Sequence, residues 1–258
     1  MKKIAFITGA TAGIGQATSY RLAAEGYSLI ITGRREEKLT DLKQRLEEQY
    51  PISVLPLTMD VRVKADTQTS IRELPEEWKD IELLVNNAGL AVGLDPFDQA
   101  NLADWETMID TNIKGLLVVS RAVLDLMIGR KRGHIINLSS IAGTQVYAKG
   151  NVYCATKHAV DAITQSMRID LLTYGIRVSS VSPGAVDTEF STVRFKGDEQ
   201  KAKSVYEDYD PLLAEDIADV IAFIATRPAH VNINDIEVTP TAQANAYYLH
   251  KGSFDEKN

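Results

Sequence analysis

Cys154 is the only cysteine among 258 residues, so an intrachain disulfide and a cysteine-built zinc site are both excluded. Histidine is almost as scarce, and His134, His158, His230 and His250 are scattered without metal-ligand spacing. Long apolar runs are missing as well: the longest purely aliphatic interior stretch is residues 116–119, against the roughly 20 residues that a membrane-spanning helix needs. The chain opens on Met-Lys-Lys followed by the apolar residues 4–7, like a secretion signal, but this stretch stops at Thr8-Gly9 and is too short for one. Basic charge is not in excess. Lysine and arginine number 28 against 35 acidic residues, a formal charge of −7, which argues against a nucleic-acid binder built on a basic face and against attraction to an anionic membrane. What remains is ordinary globular composition, 45% hydrophobic and 24% charged, long enough for one full core. A reduced, cytoplasmic protein is the expectation.

Short apolar runs alternate with longer amphipathic stretches from the start. Strands are expected at residues 4–7, 28–32, 54–57, 81–85, 134–138, 176–181 and 236–238. Between them, helices are expected at 14–25, 36–49, 65–73, 105–128, 153–174 and 215–225, with Gly26 and Gly175 as stops. Leu39, Leu42 and Leu46 show the helical period most clearly. Such alternation implies an α/β fold: a single doubly wound Rossmann domain, with a mostly parallel sheet of about seven strands and helices on both faces. The domain is expected to span residues 1–245, with 246–258 a C-terminal tail that frays from Lys251. The polar segment at about 189–210 interrupts the alternation, and loops of that length are often lids.

The first strand runs straight into Thr8-Gly9-Ala10-Thr11-Ala12-Gly13-Ile14-Gly15, which opens a helix. Gly9 permits a tight turn, Gly13 lets the backbone approach a pyrophosphate, and Gly15 allows close packing of helix on strand. Exposed amides and the positive end of the helix dipole then attract phosphates. The second strand ends in Thr32-Gly33-Arg34-Arg35, where an NAD-binding fold usually carries an acid for the ribose hydroxyls. Two guanidinium groups there suit the additional 2′-phosphate of NADP. The competing reading is two solvated arginines paired with Glu36 and Glu37.

Tyr153 and Lys157 are four residues apart on an expected helix, so phenol and ammonium share one face. A phenol titrates near ~10, and a neighbouring cation favours its ionised form, which makes proton exchange with an alcohol or carbonyl oxygen feasible. By itself such a pair is usually just solvated. Ser139 and Ser140 close the strand 134–138 at the carboxyl edge, where open α/β sheets bind ligands. Asn112 sits in an otherwise apolar stretch, where an amide needs a partner or a task. Cys154 is read as a small core filler.

Together these residues resemble the short-chain dehydrogenase/reductase family from the first strand to near the C-terminus. The stretches that carry the resemblance are 8–15, Asn86-Asn87-Ala88-Gly89, Asn112, Ser140, Tyr153, Lys157 and Pro183-Gly184. It implies a role for each. Tyr153 exchanges the proton, Ser140 holds the substrate oxygen, and Lys157 grips the nicotinamide ribose and lowers the pKa of Tyr153. Asn112 positions a water that links Lys157 to solvent. Asn87, Ala88 and Gly89 shape the cofactor cleft, Asp60 and Val61 meet the adenine, and Pro183, Gly184, Val186 and Thr188 border the nicotinamide. Gly9, Thr11, Gly13, Ile14, Gly15, Arg34 and Arg35 complete the NADP contacts, and no metal site is implied.

Within the family, the sequence resembles the NADP-dependent 3-hydroxy acid dehydrogenases, also described as serine or allo-threonine dehydrogenases. The likeness lies in stretches 32–35, 104–112, 133–137, 150–153, 188–198 and 228–234. It implies a small 3-hydroxy acid as substrate, with Arg194 in the lid a candidate clamp for its carboxylate. The alternatives are reduction of another carbonyl (3-oxoacyl, pterin or sugar ketone), a non-catalytic dinucleotide sensor, and a nucleotide-sugar epimerase. Tyr153 and Lys157 disfavour the sensor, and too few residues follow Pro183 for the epimerase. Apolar residues nearly all round the helix 153–174 point to burial or a partner, and family members pair this helix and the one around Asn112 into a homotetramer. No nucleic acid or membrane partner is expected.

Overall fold

A computed structural model of the chain describes residues 3–252. Its strands are β1 (Ile4–Ile7), β2 (Ser28–Gly33), β3 (Val54–Thr58), β4 (Ile81–Asn86), β5 (Gly133–Leu138), β6 (Ile176–Pro183) and β7 (Asp235–Val238). They form one sheet in the order β3-β2-β1-β4-β5-β6-β7, every neighbouring pair parallel. The helices are α1 (Gly13–Ala24), α2 (Glu36–Gln49), α3 (Lys64–Arg72), α4 (Leu102–Ile109), α5 (Leu116–Ile128), α6 (Asn151–Asp170), α7 (Glu189–Arg194), α8 (Glu199–Ser204) and α9 (Ala214–Ala225). None of them is long and apolar enough to cross a membrane.

The continuous apolar runs follow from burial on both faces, because successive strand side chains point opposite ways. Ala5 and Ile7 enter a core with Leu22 of α1, Leu39, Leu42 and Leu46 of α2, and Ile217 and Ile221 of α9. Ile4 and Phe6 enter the opposite core with Ile71 of α3 and Val119, Val123 and Met127 of α5. Each fully buried side chain of this kind contributes about 1.5–3 kcal/mol, so both faces are firmly specified. The strand order reverses direction between β1 and β4, and the crevice at their carboxyl ends is where a doubly wound sheet takes its ligand.

Three stretches depart from the expected elements. The helix expected at 105–128 is broken by a π-helical turn, Asp110–Gly115, which separates α4 from α5. At the end of this turn the chain passes close over the loop after β3, where a Cβ on Gly115 would meet Val61. The helix expected at 153–174 begins at Asn151, ends at Asp170, and is followed by a 3₁₀ turn. Of the apolar residues expected around it, Val160 is buried, while Ile169, and Leu172 just past its end, are 74% and 75% exposed in the single chain. The tail expected from residue 246 does not leave the domain there. Ala246 donates to Gln145 Oε1 at 2.7 Å, and the amides of His250 and Gly252 bond to the carbonyls of Ala242 and Asp208. The expected fraying from Lys251 falls largely on residues 253–258, outside the described residues. The segment at 189–210 folds as α7 and α8.

Candidate active site

The cleft, about 610 Å³, opens at the crevice between β1 and β4. Its floor is the glycine turn. Gly9 has φ +66°, a left-handed conformation that side chains resist. Gly15 does not itself line the cleft with the other cofactor residues, but it serves the close packing expected of it. It lies behind the turn, where a Cβ would collide with the Gly9 carbonyl oxygen and the Asn87 amide. Asn87 Nδ2 donates to the carbonyls of Thr8 (2.9 Å) and Gly9 (3.1 Å), and Thr8 Oγ1 accepts from the amides of Asn87 and Ala88. The end of β4 thus clamps the turn rigidly. The N-cap of α1 is Ala12, no side chain caps the helix, and its first turn carries no acid. Its first amides therefore have no side-chain acceptor, which is what a pyrophosphate needs.

The end of β2 forms the next wall. Arg34 is exposed and lines the cleft, without an ion pair or hydrogen bond among the described residues. Arg35 is engaged instead, donating to Thr11 Oγ1 (3.1 and 2.9 Å) and to Thr11 O (3.1 Å). Its remaining nitrogen pairs with Glu189 at 2.8 Å, not with Glu36 or Glu37. Asp60, Val61 and Arg62 line the far end, with Asp60 in a bidentate pair with Arg62 (3.0 and 2.6 Å). The Arg62 hydrogen bond holds the Asp60 carboxyl below its ordinary range despite burial.

At the other end, β5 delivers Ser140 and α6 delivers Tyr153 and Lys157. Ser140 Oγ accepts from the Ala142 amide at 3.1 Å and faces the Pro183 carbonyl at 3.4 Å, which fixes its rotamer. Tyr153 is 7% exposed. Its phenol is pushed well above the ordinary value, chiefly by burial, with Tyr147 adding to the rise and Ser140 and Arg194 opposing it. Burial, and not the lowering expected from Lys157, sets the direction of this shift. The ammonium lies 5.9 Å from the Tyr153 ring centroid and donates to Leu138 O at 2.8 Å. Burial draws the Lys157 pKa from 10.5 down to about 8, with Asp161 acting the other way. Asn112 does not line the cleft. It sits behind it in the π-turn, exchanging bonds with Leu90 N (2.9 Å) and O (2.8 Å) and donating to Thr156 at 3.0 Å. Its partners thereby tie the loop after β4 to α6.

Arg194, at the end of α7, reaches the same chamber. Its guanidinium carbon is 5.5 Å from the Tyr153 ring centroid and 5.4 Å from that of Tyr147, whose hydroxyl accepts from Nη2 at 2.7 Å. Its Nε is buried and has no partner among the described residues. Phe190 packs edge-on against Tyr153 at 5.7 Å, closing the chamber from α7.

Gly9, Thr11, Gly13, Ile14, Arg34, Arg35, Asp60, Val61, Asn87, Ala88, Gly89, Ser140, Tyr153, Lys157, Pro183, Gly184, Val186, Thr188 and Arg194 all line this one cleft. Tyr147, Arg62, Glu189 and residues 245–247 line it too and were not expected. Only an aromatic stranded in a polar loop (Tyr147) carried any local signal.

Residues 3–199 match the family described as short chain dehydrogenase. The chain is 49% identical over 242 residues to the NADP-dependent 3-hydroxy acid dehydrogenase YdfG of Salmonella typhi, covering 93% of this chain and 96% of that one. It is 48% identical over 245 residues to sulfoacetaldehyde reductase 2 of Chromohalobacter salexigens, covering 95% and 96%. A solved structure described as the closed form of serine dehydrogenase complexed with NADP+ superposes with TM-score 0.91 at 45% identity, covering 96% of this chain and 99% of that one.

Proposed function

The chain belongs to the short-chain dehydrogenase family, and from that premise we propose that it is an NADP-dependent oxidoreductase for a small 3-hydroxy acid. The acid is of the serine, allo-threonine or 3-hydroxypropionate type, interconverted with its 3-oxo acid or semialdehyde. The observation that carries the reading is the Arg194 guanidinium standing 5.5 Å from the Tyr153 ring centroid in one chamber. A proton donor and an anion clamp so close together suit a substrate whose alcohol and carboxylate are separated by very few bonds.

When bound, the dinucleotide supplies or accepts a hydride at the substrate carbon. The glycine turn and the first turn of α1 hold its pyrophosphate, and Arg34 and Arg35 its 2′-phosphate. Asp60 and Val61 border the adenine, Lys157 the ribose, and Asn87, Ala88, Gly89, Pro183, Gly184, Val186 and Thr188 the nicotinamide. Ser140 donates to the substrate oxygen. Tyr153, kept neutral by burial, gives its proton to a carbonyl oxygen in reduction, and in oxidation its phenolate form takes the proton from the alcohol. The Lys157 cation limits the cost of the phenolate left behind. Asn112 Oδ1 and Lys157 Nζ both lie near the space beside Gly89, 3.3 and 3.6 Å from where its Cβ would be, so a water held there would link Lys157 to solvent.

NADPH and NADH absorbance against a panel of short 3-hydroxy acids, semialdehydes and sulfonate aldehydes tests the reading. Arg194→Ala should raise KM for the anionic substrates about 10- to 100-fold, the loss of a charge-assisted pair, with cofactor affinity unchanged. Unchanged KM removes Arg194 from the site, and inactivity on every acid removes the substrate class. We also place the assembly as a homotetramer through α5 and α6, which leave Leu117 and Ile169 exposed. A monomer in sedimentation at micromolar concentration would contradict that.

A further inference from the structure

Glu189 opens α7, the two-turn helix that ends on Arg194. Both of its carboxylate oxygens are taken by cations of the cofactor wall: Oε2 by Arg35 Nη1 at 2.8 Å and Oε1 by Lys38 Nζ at 3.0 Å. Arg35 spends its other nitrogens on Thr11 of the glycine turn. Of the three cations that flank the end of β2, only Arg34 thus remains without a carboxylate or hydrogen-bond partner among the described residues. A carboxylate stands where a phosphate is expected, presenting the same kind of oxygen pair to the same guanidinium.

From this, and resting on the NADP reading above, we propose that Glu189 is an internal competitor of the 2′-phosphate and so a specificity-determining residue. It neutralises Arg35 and Lys38 in the free enzyme and has to yield part of that pairing when the phosphate arrives. NAD brings no such phosphate and leaves the pairs intact. Glu189 therefore narrows the preference for NADP over NAD that the arginines create. The three side chains are between 42% and 49% exposed, so each pair is screened and modest.

The test is dissociation constants for NADP, NAD and 2′,5′-ADP, measured by calorimetry on the full chain. Wild type, Glu189→Gln, Arg35→Ala and the double variant are compared. Glu189→Gln should tighten NADP and 2′,5′-ADP about three- to tenfold and leave NAD unchanged. The gain should shrink in the Arg35→Ala background and fade at high salt. An equal change for NAD and NADP, or a loss of NADP affinity, overturns the proposal, because Glu189 would then only order the lid. Failure of the NADP reading itself has a different signature: equal affinity for NADP and NAD in both wild type and Glu189→Gln.

Discussion

Replacing Lys157 with methionine should stop turnover and make the protein harder to unfold at neutral pH. The side chain is 6% exposed, and its ammonium has one hydrogen bond, to Leu138 O at 2.8 Å. Burial lowers its pKa from 10.5 to about 8, equivalent to about 3 kcal/mol of differential stabilisation. The folded state releases this proton near pH 8 and the unfolded state only near 10.5. Between those values the unfolded chain binds more protons, so stability rises with pH across the window and the penalty is complete below pH 8. Methionine fills the same channel without charge but forgoes the Leu138 bond, a loss of about 1 kcal/mol. The net gain at pH 7 is then about 2 kcal/mol, or about 4–8 °C in Tm for a chain of this length. Scanning calorimetry of both proteins at pH 7, 9 and 10.5 measures it, and the advantage should be gone at the highest pH. A methionine variant less stable than wild type at pH 7, or an advantage independent of pH, would refute the reasoning.

Two further outcomes follow from the same buried groups. Tyr153→Phe keeps the edge contact with Phe190 but removes the exchangeable proton, so kcat should fall about 10²- to 10⁴-fold with NADP affinity unchanged; wild-type turnover in that variant would end the proposed chemistry. His134 is buried beside Ser179 (2.8 Å), and burial, helped by Arg177, lowers its pKa from 6.5 to about 3. Below pH 6.5 the unfolded state takes up a proton that folded His134 refuses, so stability falls as pH drops toward 3. His134→Gln should lose about 2 kcal/mol less than wild type between pH 6.5 and 5, read from urea midpoints; parallel losses would mean that His134 does not carry the effect.

Much of the fold was legible because its signals are local. Leu39, Leu42 and Leu46 display the helical period within one helix, and β1 and the Leu29–Ile31 run of β2 are apolar because both of their faces are buried. The turn from Gly9 to Gly15 and the spacing of Tyr153 and Lys157 likewise need only a few residues to be read. The π-turn was not legible: no local pattern marks residues 110–115, and the close approach of Gly115 to Val61 involves a different loop. Nor was the course of residues 246–252, which depends on acceptors such as Gln145 and Asp208 far back in the chain.

For this protein, the order of residues determined which groups are available: a glycine turn after the first strand, arginines where an acid is usual, and a phenol one helical turn from an ammonium. Tertiary structure decided what those groups encounter. Arg35 meets Glu189 across 154 positions and Arg194 meets Tyr147 across 47, because the segment after β6 folds back over the crevice between β1 and β4. Phe190 and Arg194 of that segment cover Tyr153, and burial moves the pKa values of Tyr153 and Lys157 in the direction that disfavours charge. Local sequence fixes covalent neighbours and helical phase, whereas water exclusion and long-range pairing are properties of the packed whole.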